Sequence, residues 1–529
     1  MALMTQALYS VALYPTLGPE TTEFIINDAD LSCVVCALPF VPTLLKIAPR
    51  VPKLKAIVCM DSLDEGELKD HSKGSLLGAF AAEHGITLYT MAEVEAIGAA
   101  SQRQARPPTP DDIITINYTS GTTGNPKGAV LLHSAAVAAA AASRASTPAA
   151  KNQVHISYLP LAHIYGRLVD MTALFVGTSI GYFRGDIMGL VDDMKILKPT
   201  GLISVPRLFN RFNSAVRQAT VEADGVRGGL SRRVVDTKKA NMKLPRGQAY
   251  NTHLLYDRFW TPKVREAVGL KNAHSMVSGS ALLDPDVQEF LRAAFGINFV
   301  QGFGMTETFA VGMVQMLKDF STGNVGAPHP CNELCLESAP EFDYHVTDKP
   351  RPRGELLMRG PNVFNRYWNN EEETKKCFSA DGWFRTGDIA EIDDQGRFRI
   401  IDRKKNVLKL SQGEYISPER IENVYLANTS IINIAFVHGD AKESCLVGVF
   451  GVEPENFPPF ATKVLGREVK VGDTEAIMAA AEDPKVRAAF MKILDKIGHG
   501  HKFNSLERVK GVHLALDPFT VDNEMLTPT

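Results

Sequence analysis

The sequence has little to build a disulfide framework, a zinc finger, a secretory leader or a membrane span. Cysteine is scarce: 7 of 529 residues, at 33, 36, 59, 331, 335, 377 and 445. They are odd in number and scattered, which argues for a reducing compartment. Cys33 and Cys36 form a C-x-x-C, but no second Cys/His pair at metal-ligand spacing accompanies it, so both read as small core residues. The opening MALMTQALYSVALYPTLG has no charged segment followed by an apolar one, so no secretory signal is expected. The longest alanine-rich run, Ala135 to Ala142, falls far short of the ~20 apolar residues that span a bilayer. An excess of one charge is missing too. Lys and Arg number 57 against 60 Asp and Glu, a net charge of -3 without the basic field that gathers nucleic acid. The last residues, Thr527-Pro-Thr529, are not a Ser-Lys-Leu address. The expected location is intracellular: cytoplasmic, peroxisomal or at a membrane periphery.

What is present is an ordinary globular composition, 45% hydrophobic and 22% charged, on a chain several times longer than a typical domain of roughly 100 to 200 residues. Up to about residue 330, β-rich runs alternate with helical patterns, predicting a layered α/β unit. The expected strands are Leu8 to Tyr14, Ile113 to Tyr118, Val154 to Leu159, Leu202 to Val205, Ser275 to Ser278 and Phe299 to Val300. Asp284 as N-cap, Pro285 at the first helical position and Gly296 as stop predict a helix from 284 to 295. Between Asp388 and Ile401 two alternating runs around Asp394-Gln-Gly396 predict a β-hairpin. The polar cluster Asp402-Arg-Lys-Lys-Asn406 follows, and a new α+β pattern runs to the end. This places a large α/β domain at 1–401 and a small mobile α+β domain at 402–529. In the latter, a helix from Ser417-Pro418 to Leu426, strands at Asn433 to His438 and Leu446 to Val452, and an amphipathic helix at Val486 to Ile497 are expected. The basic stretch Arg227 to Lys271, with Arg232, Arg233, Lys238, Lys239, Lys243 and Arg246 near Phe259 and Trp260, reads as a solvated insertion. An anionic membrane surface or an acyl-CoA phosphate are the functional alternatives.

Chemistry concentrates in Tyr118-Thr-Ser-Gly-Thr-Thr-Gly-Asn-Pro-Lys-Gly128, directly after the apolar run Ile113-Ile-Thr-Ile-Asn117. Backbone N–H groups at glycines, four hydroxyls and a lysine make a cradle for an anion. No Gly-Lys-Ser/Thr stands at the interval of a nucleoside-triphosphatase P-loop, and Pro126 precedes the lysine. A second segment, Gln301-Gly-Phe-Gly-Met-Thr-Glu307, supplies a carboxylate for Mg²⁺, a hydroxyl for a phosphate oxygen and an aromatic face for a base. Ser278-Gly-Ser-Ala-Leu-Leu-Asp284 lies in a strand-to-helix loop, and Trp383-Phe-Arg-Thr-Gly-Asp388 ends in a carboxylate able to accept from two hydroxyls.

The string 118–128 resembles the signature of the adenylate-forming (AMP-binding) superfamily, and the resemblance runs along nearly the whole chain. It implies that Thr119, Ser120, Gly121, Thr122, Thr123, Gly124 and Lys127 hold the ATP phosphates. Gly279 and Ser280 border adenine, and Gln301, Gly302, Phe303 and Gly304 form the second ATP motif with Phe303 stacked on the base, where tyrosine is commoner. By the same resemblance Thr306 is expected to meet the α-phosphate, Glu307 to bind Mg²⁺, and Asp388 and Arg403 to take the ribose. It also implies that Asp402 is the hinge between domains, that Gly413, in Lys409-Leu-Ser-Gln-Gly-Glu-Tyr-Ile416, flanks the pantetheine tunnel, and that His163, in Leu159-Pro-Leu-Ala-His-Ile-Tyr-Gly166, borders the acyl group. Ser204-Val-Pro-Arg-Leu-Phe209 and the basic insertion resemble the long-chain acyl-CoA synthetase branch.

Relatives of this type are longer at both ends, and in them a lysine that assists adenylation follows the string Met525-Leu-Thr-Pro-Thr529 by two positions. The expected state is therefore a truncated chain, part of a longer protein, or an enzyme impaired in adenylation. The implied reaction joins a fatty acid to CoA: ATP gives acyl-AMP and diphosphate, and the CoA thiol then displaces AMP. The rival expectations are an acyl-adenylating enzyme that loads a carrier protein, an inactive remnant, and an ADP-forming phosphotransferase.

Overall fold

The computed structural model describes residues 2–14, 18–63, 72–119, 125–146, 152–245, 247–410, 415–440, 443, 445–519 and 525. Ser120, Gly121, Thr122, Thr123, Gly124, Arg246 and Gly413, with most of the terminal string after Asn523, lie outside them. The chain forms two compact units. One comprises Met1–Ala136, Phe364–Lys376 and Thr520–Thr529, the other Val137–Val363 and Cys377–Phe519.

The first unit holds two three-stranded sheets. One is parallel, Cys33–Cys36, Ala56–Cys59 and Thr87–Thr90, over a core that includes Ile26, Leu44, Leu45 and Ile57. The other pairs Ser10–Val11 with Ile113–Thr119, and that strand with the antiparallel Lys127–Leu132. Ile116 and Tyr118 of this strand are buried, packed with Ile25 and Val130 and flanked by the partly buried Ile113.

The second unit is built on the strands Gly201–Ser204, Ser275–Ser278 and Asn298–Phe303, parallel in register, followed by the antiparallel Met313–Val314 and Ala327–Pro328. The helix Pro285–Phe295 connects two of them, capped as expected. The Asp284 carboxylate accepts from the amides of Asp286 at 2.8 Å and Val287 at 3.2 Å, and Gly296 closes it in the left-handed region. Its inner face, with Val287, Phe290, Leu291 and Phe295, joins Phe209, Met276 and Phe299 in one core. A four-stranded antiparallel sheet follows, ending in the expected hairpin Phe384–Ile392 and Phe398–Arg403. After Asp402 the chain builds a further core from Leu410 to Leu514 around the helix Pro418–Asn428, the strands Ile432–His438, Leu446–Val452 and Val509–Ala515, and the helix Pro484–Gly500.

Three expectations change. The strand expected over Leu8 to Tyr14 contracts to Ser10–Val11, because only Thr115 and Ile116 lie opposite it. The C-x-x-C pair is not a core pair: on its strand Cys33 is exposed, Cys36 is partly buried, and the buried thiol is Cys59, opposite Cys36. All seven cysteines are free. The basic stretch is not simply solvated. Lys238 is fully buried and ion-paired with Asp257, while Lys239 and Lys243 both reach Glu289, at 2.8 and 3.2 Å. Its cations hold the helix Gly225–Met242 onto the body of the unit.

Candidate functional site

In the first unit the ends of the glycine-rich loop are fixed side by side, since Thr119 and Lys127 are register partners on adjacent antiparallel strands. The phosphate-loop segment is therefore a strand-to-strand connection, distinct from the strand-to-helix P-loop. Lys127 is ion-paired with Glu373, and its ammonium lies 5.7 Å from the ring centre of Tyr367. Glu373 arrives there because the segment 366–369 runs beside the strand: Val130 N donates to Arg366 O at 3.1 Å, Trp368 N to Gly128 O at 2.7 Å, and Ala129 bridges Tyr367. The hydrogen bond from Lys127 holds the Glu373 carboxyl below its usual range.

In the second unit the segment Gln301 to Glu307 leaves the strand Asn298–Phe303 and turns sharply through Thr306–Thr308. Phe309 and Ala310 both have positive φ, 50° and 62°, and the Ala310 amide donates back to Met305 O at 2.8 Å. A Cβ on Gly304 would lie 2.2 Å from the Ala310 carbonyl oxygen, so only glycine fits. Asn362, fully buried, clamps the turn by donating to Thr308 O and Val311 O, each at 2.8 Å. Phe303 and Thr306 are partly exposed while the Glu307 carboxylate is buried. Gln301 is also buried, and its amide is engaged within the protein: Oε1 accepts from Leu283 N at 2.6 Å and Nε2 donates to Asn324 O at 3.1 Å.

Gly279 packs with its Cα against Tyr165, where a Cβ would lie 3.0 Å from the ring, and Ser280 sits exposed at φ 76°. His163 caps the helix Ile164–Val176, its Nδ1 accepting from Tyr165 N at 3.2 Å. Burial lowers its pKa, so the ring is neutral and the proton resides on Nε2. Tyr165 thus meets both expected residues, its ring lying against Gly279 and its backbone amide donating to His163.

Asp388 and Arg403 are register partners across the hairpin, with Nε to Oδ1 at 3.5 Å. Asp388 is only 3% exposed, and its Oδ2 has no hydrogen-bond partner among the described residues. Burial pushes its pKa up to about 7; Arg403 opposes this, and Glu419, Glu307 and Asp402 add to it. Asp402, the expected hinge, accepts from Arg403 N at 2.6 Å and is raised by burial to about 6. A buried carboxylate oxygen lacking a donor suits a ligand that brings hydroxyl groups. Among the described residues no group of three or more His, Cys, Asp or Glu side chains is arranged to hold a metal. Mg²⁺ bound through one carboxylate and phosphate oxygens needs no such group, so Glu307 fits that role.

Four residues that sequence reasoning passed over belong to this architecture: Glu373, Asn362, Arg292 and Gln315. Glu373 is one acid in the run Glu371-Glu-Glu-Thr-Lys-Lys376, and nothing in that text distinguishes it. The other three are polar residues whose burial is decided by distant chain.

Comparison with known proteins gives the family and the fold. The model of the family described as AMP-binding enzyme matches residues 1–368. The chain is 52% identical over 530 residues to "Acyl-CoA ligase 891, peroxisomal" of Penicillium brevicompactum, covering 100% of this chain and 75% of that protein. It is 37% identical over 528 residues to "Long chain acyl-CoA synthetase 6, peroxisomal" of Arabidopsis thaliana, covering 100% of this chain and 72% of that protein. Among solved structures, the A domain of carboxylic acid reductase from Segniliparus rugosus, in complex with AMP and a co-purified carboxylic acid, shares the fold at TM-score 0.78 and 24% identity, covering 100% of this chain and 76% of that one. This chain belongs to the AMP-binding enzyme family.

Proposed function

We propose that the chain is an AMP-forming long-chain fatty acid–CoA ligase, converting ATP, a fatty acid and CoA to acyl-CoA, AMP and diphosphate through an acyl-adenylate. Family membership supports the adenylating chemistry, and relatives named long-chain acyl-CoA synthetase support the acyl substrate. The structural observation that carries the reading is the buried, donor-seeking Oδ2 of Asp388 beside Arg403, which suits a ribose diol.

In this reading Thr122, Thr123 and Lys127 hold the triphosphate, Thr306 contacts the α-phosphate, and Phe303 offers its ring to adenine. Mg²⁺, held through Glu307, would neutralise phosphate charge. The fatty carboxylate displaces diphosphate at the α-phosphorus, and the CoA sulfur then displaces AMP at the acyl carbon. No protein nucleophile is required; the residues position the reactants and stabilise charge. Residues 402–529 act as a mobile lid turning about Asp402, bringing Gly413 to the pantetheine arm for the second step. The peroxisomal names of two relatives favour a peroxisomal location, and among the described residues no helix is long and apolar enough to cross a membrane.

The test is product analysis of the purified chain with palmitate, Mg-ATP and CoA, alongside a version extended by its natural downstream residues. Palmitoyl-CoA with stoichiometric AMP is expected. ADP as the nucleotide product would overturn the reading, and acyl transfer to a carrier protein in place of CoA would move the acceptor.

A further inference from the structure

Behind the loops assigned above to the nucleotide lies a polar cluster that the reaction does not use. Its centre is Gln315, 2% exposed, just after the strand Met313–Val314. Its Oε1 accepts from Gln288 Nε2 at 2.7 Å, Arg292 Nη2 at 3.0 Å and the backbone amide of Gln301 at 2.9 Å. Its Nε2 donates to Asn324 O at 3.0 Å, and its own amide to Gln301 O at 3.0 Å. Arg292, 1% exposed, also donates to Phe299 O at 2.7 Å and Ser321 O at 2.8 Å, and among the described residues no carboxylate lies within ion-pairing distance of it. A buried guanidinium satisfied only by neutral oxygens is costly, and it gives the oxygens it holds a fixed geometry.

The connection to the site runs through Gln301. Gln315 grips its backbone on both sides, and both glutamines donate to Asn324 O. The Gln301 side chain in turn accepts from Leu283 N at 2.6 Å, in the loop 278–284. One amide therefore fixes two segments together: the loop containing Gly279 and Ser280, and the strand end carrying Phe303. Glutamine alone offers an oxygen for three donors and a nitrogen for carbonyls at this reach.

We propose that Gln315 is a positioning residue for base recognition: through Gln301 and Leu283 it sets the spacing between the loop 278–284 and Phe303, and so governs selectivity for adenine. The assignment rests on the nucleotide reading of those two segments. Loss of one buried partner loosens the gap that the base occupies, while the groups acting on phosphorus stay in place.

The experiment compares wild type with Gln315→Met, Gln315→Asn and Gln315→Glu. The readouts are calorimetric binding of a non-hydrolysable ATP analogue and its GTP counterpart, hydrogen exchange by mass spectrometry, and thermal melting. Gln315→Met is expected to weaken the ATP analogue about 10-fold, the size of one lost buried hydrogen bond, and to erase a similar part of the preference over GTP. Exchange should rise in peptides containing Leu283 and Gln301. Gln315→Asn keeps the amide but withdraws it by one methylene, so it serves if the Met variant does not fold, with the same expected direction. Gln315→Glu retains the accepting oxygen and should preserve most of the selectivity. A lower melting temperature with unchanged selectivity and unchanged exchange at Leu283 would reduce Gln315 to a fold-supporting residue and overturn the assignment. A wild-type chain that binds neither nucleotide would instead overturn the nucleotide reading, and this assignment with it.

Discussion

Lys127 and Glu373 stand 246 residues apart in sequence and form an ion pair at the end of the glycine-rich loop. Both side chains are partly exposed, 23% and 30%, so the pair contributes about 0 to 1 kcal/mol to stability. Its effect falls on the lysine, which in the proposed function a bound phosphate would share with Glu373 or take from it. Glu373→Gln is expected to lower the KM for ATP several-fold and to leave the melting temperature within about 1 °C. Lys127→Met should raise that KM about 10-fold or more. Steady-state diphosphate release at varied ATP gives both numbers. An increased KM in Glu373→Gln would mean that the carboxylate aims the lysine at its ligand.

In the proposed function Asp388 couples nucleotide recognition to pH. Its pKa near 7 comes from burial, partly offset by Arg403 and reinforced by Glu419, Glu307 and Asp402. A carboxyl whose folded pKa lies above its ordinary value of 3.8 binds its proton more tightly when folded, so its contribution to stability is present below about pH 4 and lost as pH rises through about 7. Asp388→Asn should therefore melt higher than wild type at pH 8, with the difference shrinking as pH falls and vanishing below about pH 4. The same variant offers an amide donor where a diol needs an acceptor, so ATP should bind more weakly, by a factor that grows between pH 6 and pH 8. Scanning calorimetry and nucleotide titration over that range check both halves. A variant less stable than wild type at pH 8 would contradict the burial argument.

Much of this architecture was legible because local chemistry and tertiary structure agree. Asp284, Pro285 and Gly296 state the bounds of one helix, and Asp394-Gln-Gly396 states a hairpin that places Asp388 opposite Arg403. The parallel strands Cys33–Cys36, Ala56–Cys59 and Thr87–Thr90 escaped notice, being only four residues long and lacking the adjoining motif that frames the equally short Ser275–Ser278. The basic stretch misled for another reason: a lysine text does not reveal whether a carboxylate awaits it, and Asp257 and Glu289 do. Gln315 illustrates the same limit, since its partners, Gln288 and Arg292, Gln301, and Ser321 and Asn324, come from three separate segments.

Gly304 tests the strain in the second motif. Its missing Cβ leaves room for the Ala310 carbonyl, which would otherwise sit at 2.2 Å, and that carbonyl cannot retreat because Phe309 and Ala310 are held at positive φ with Asn362 gripping both flanks. Gly304→Ala should displace Thr306 and Glu307 together and reduce kcat/KM by about 100-fold or more, comparable to misplacing a reacting group by 1 Å. The melting temperature should fall by a few degrees only, because the turn lies beyond the ends of the strands Asn298–Phe303 and Met313–Val314, outside their ladder. Retained activity would show that the motif relaxes without loss of function.

Lys238 offers the sharpest contrast between the sequence text and the folded chain. It is fully buried, donates to Thr261 Oγ1 at 2.9 Å, and pairs with Asp257, whose carboxylate also accepts from the His253 amide at 2.9 Å. Burial lowers the lysine pKa while Asp257 holds it up. Lys238→Ala leaves Asp257 half-buried without its cation and should cost about 3 to 5 kcal/mol, whereas Arg233→Gln, at an exposed position, should cost less than about 0.5 kcal/mol. Replacing both partners, Lys238→Met with Asp257→Leu, should recover most of the loss, because an apolar pair of similar volume removes the desolvation penalty of the ions. Urea melts of the three variants measure this directly. Equal destabilisation by Lys238→Ala and the double variant would locate the effect in the Asp257 bonds to His253 and Thr261 instead of in the ion pair.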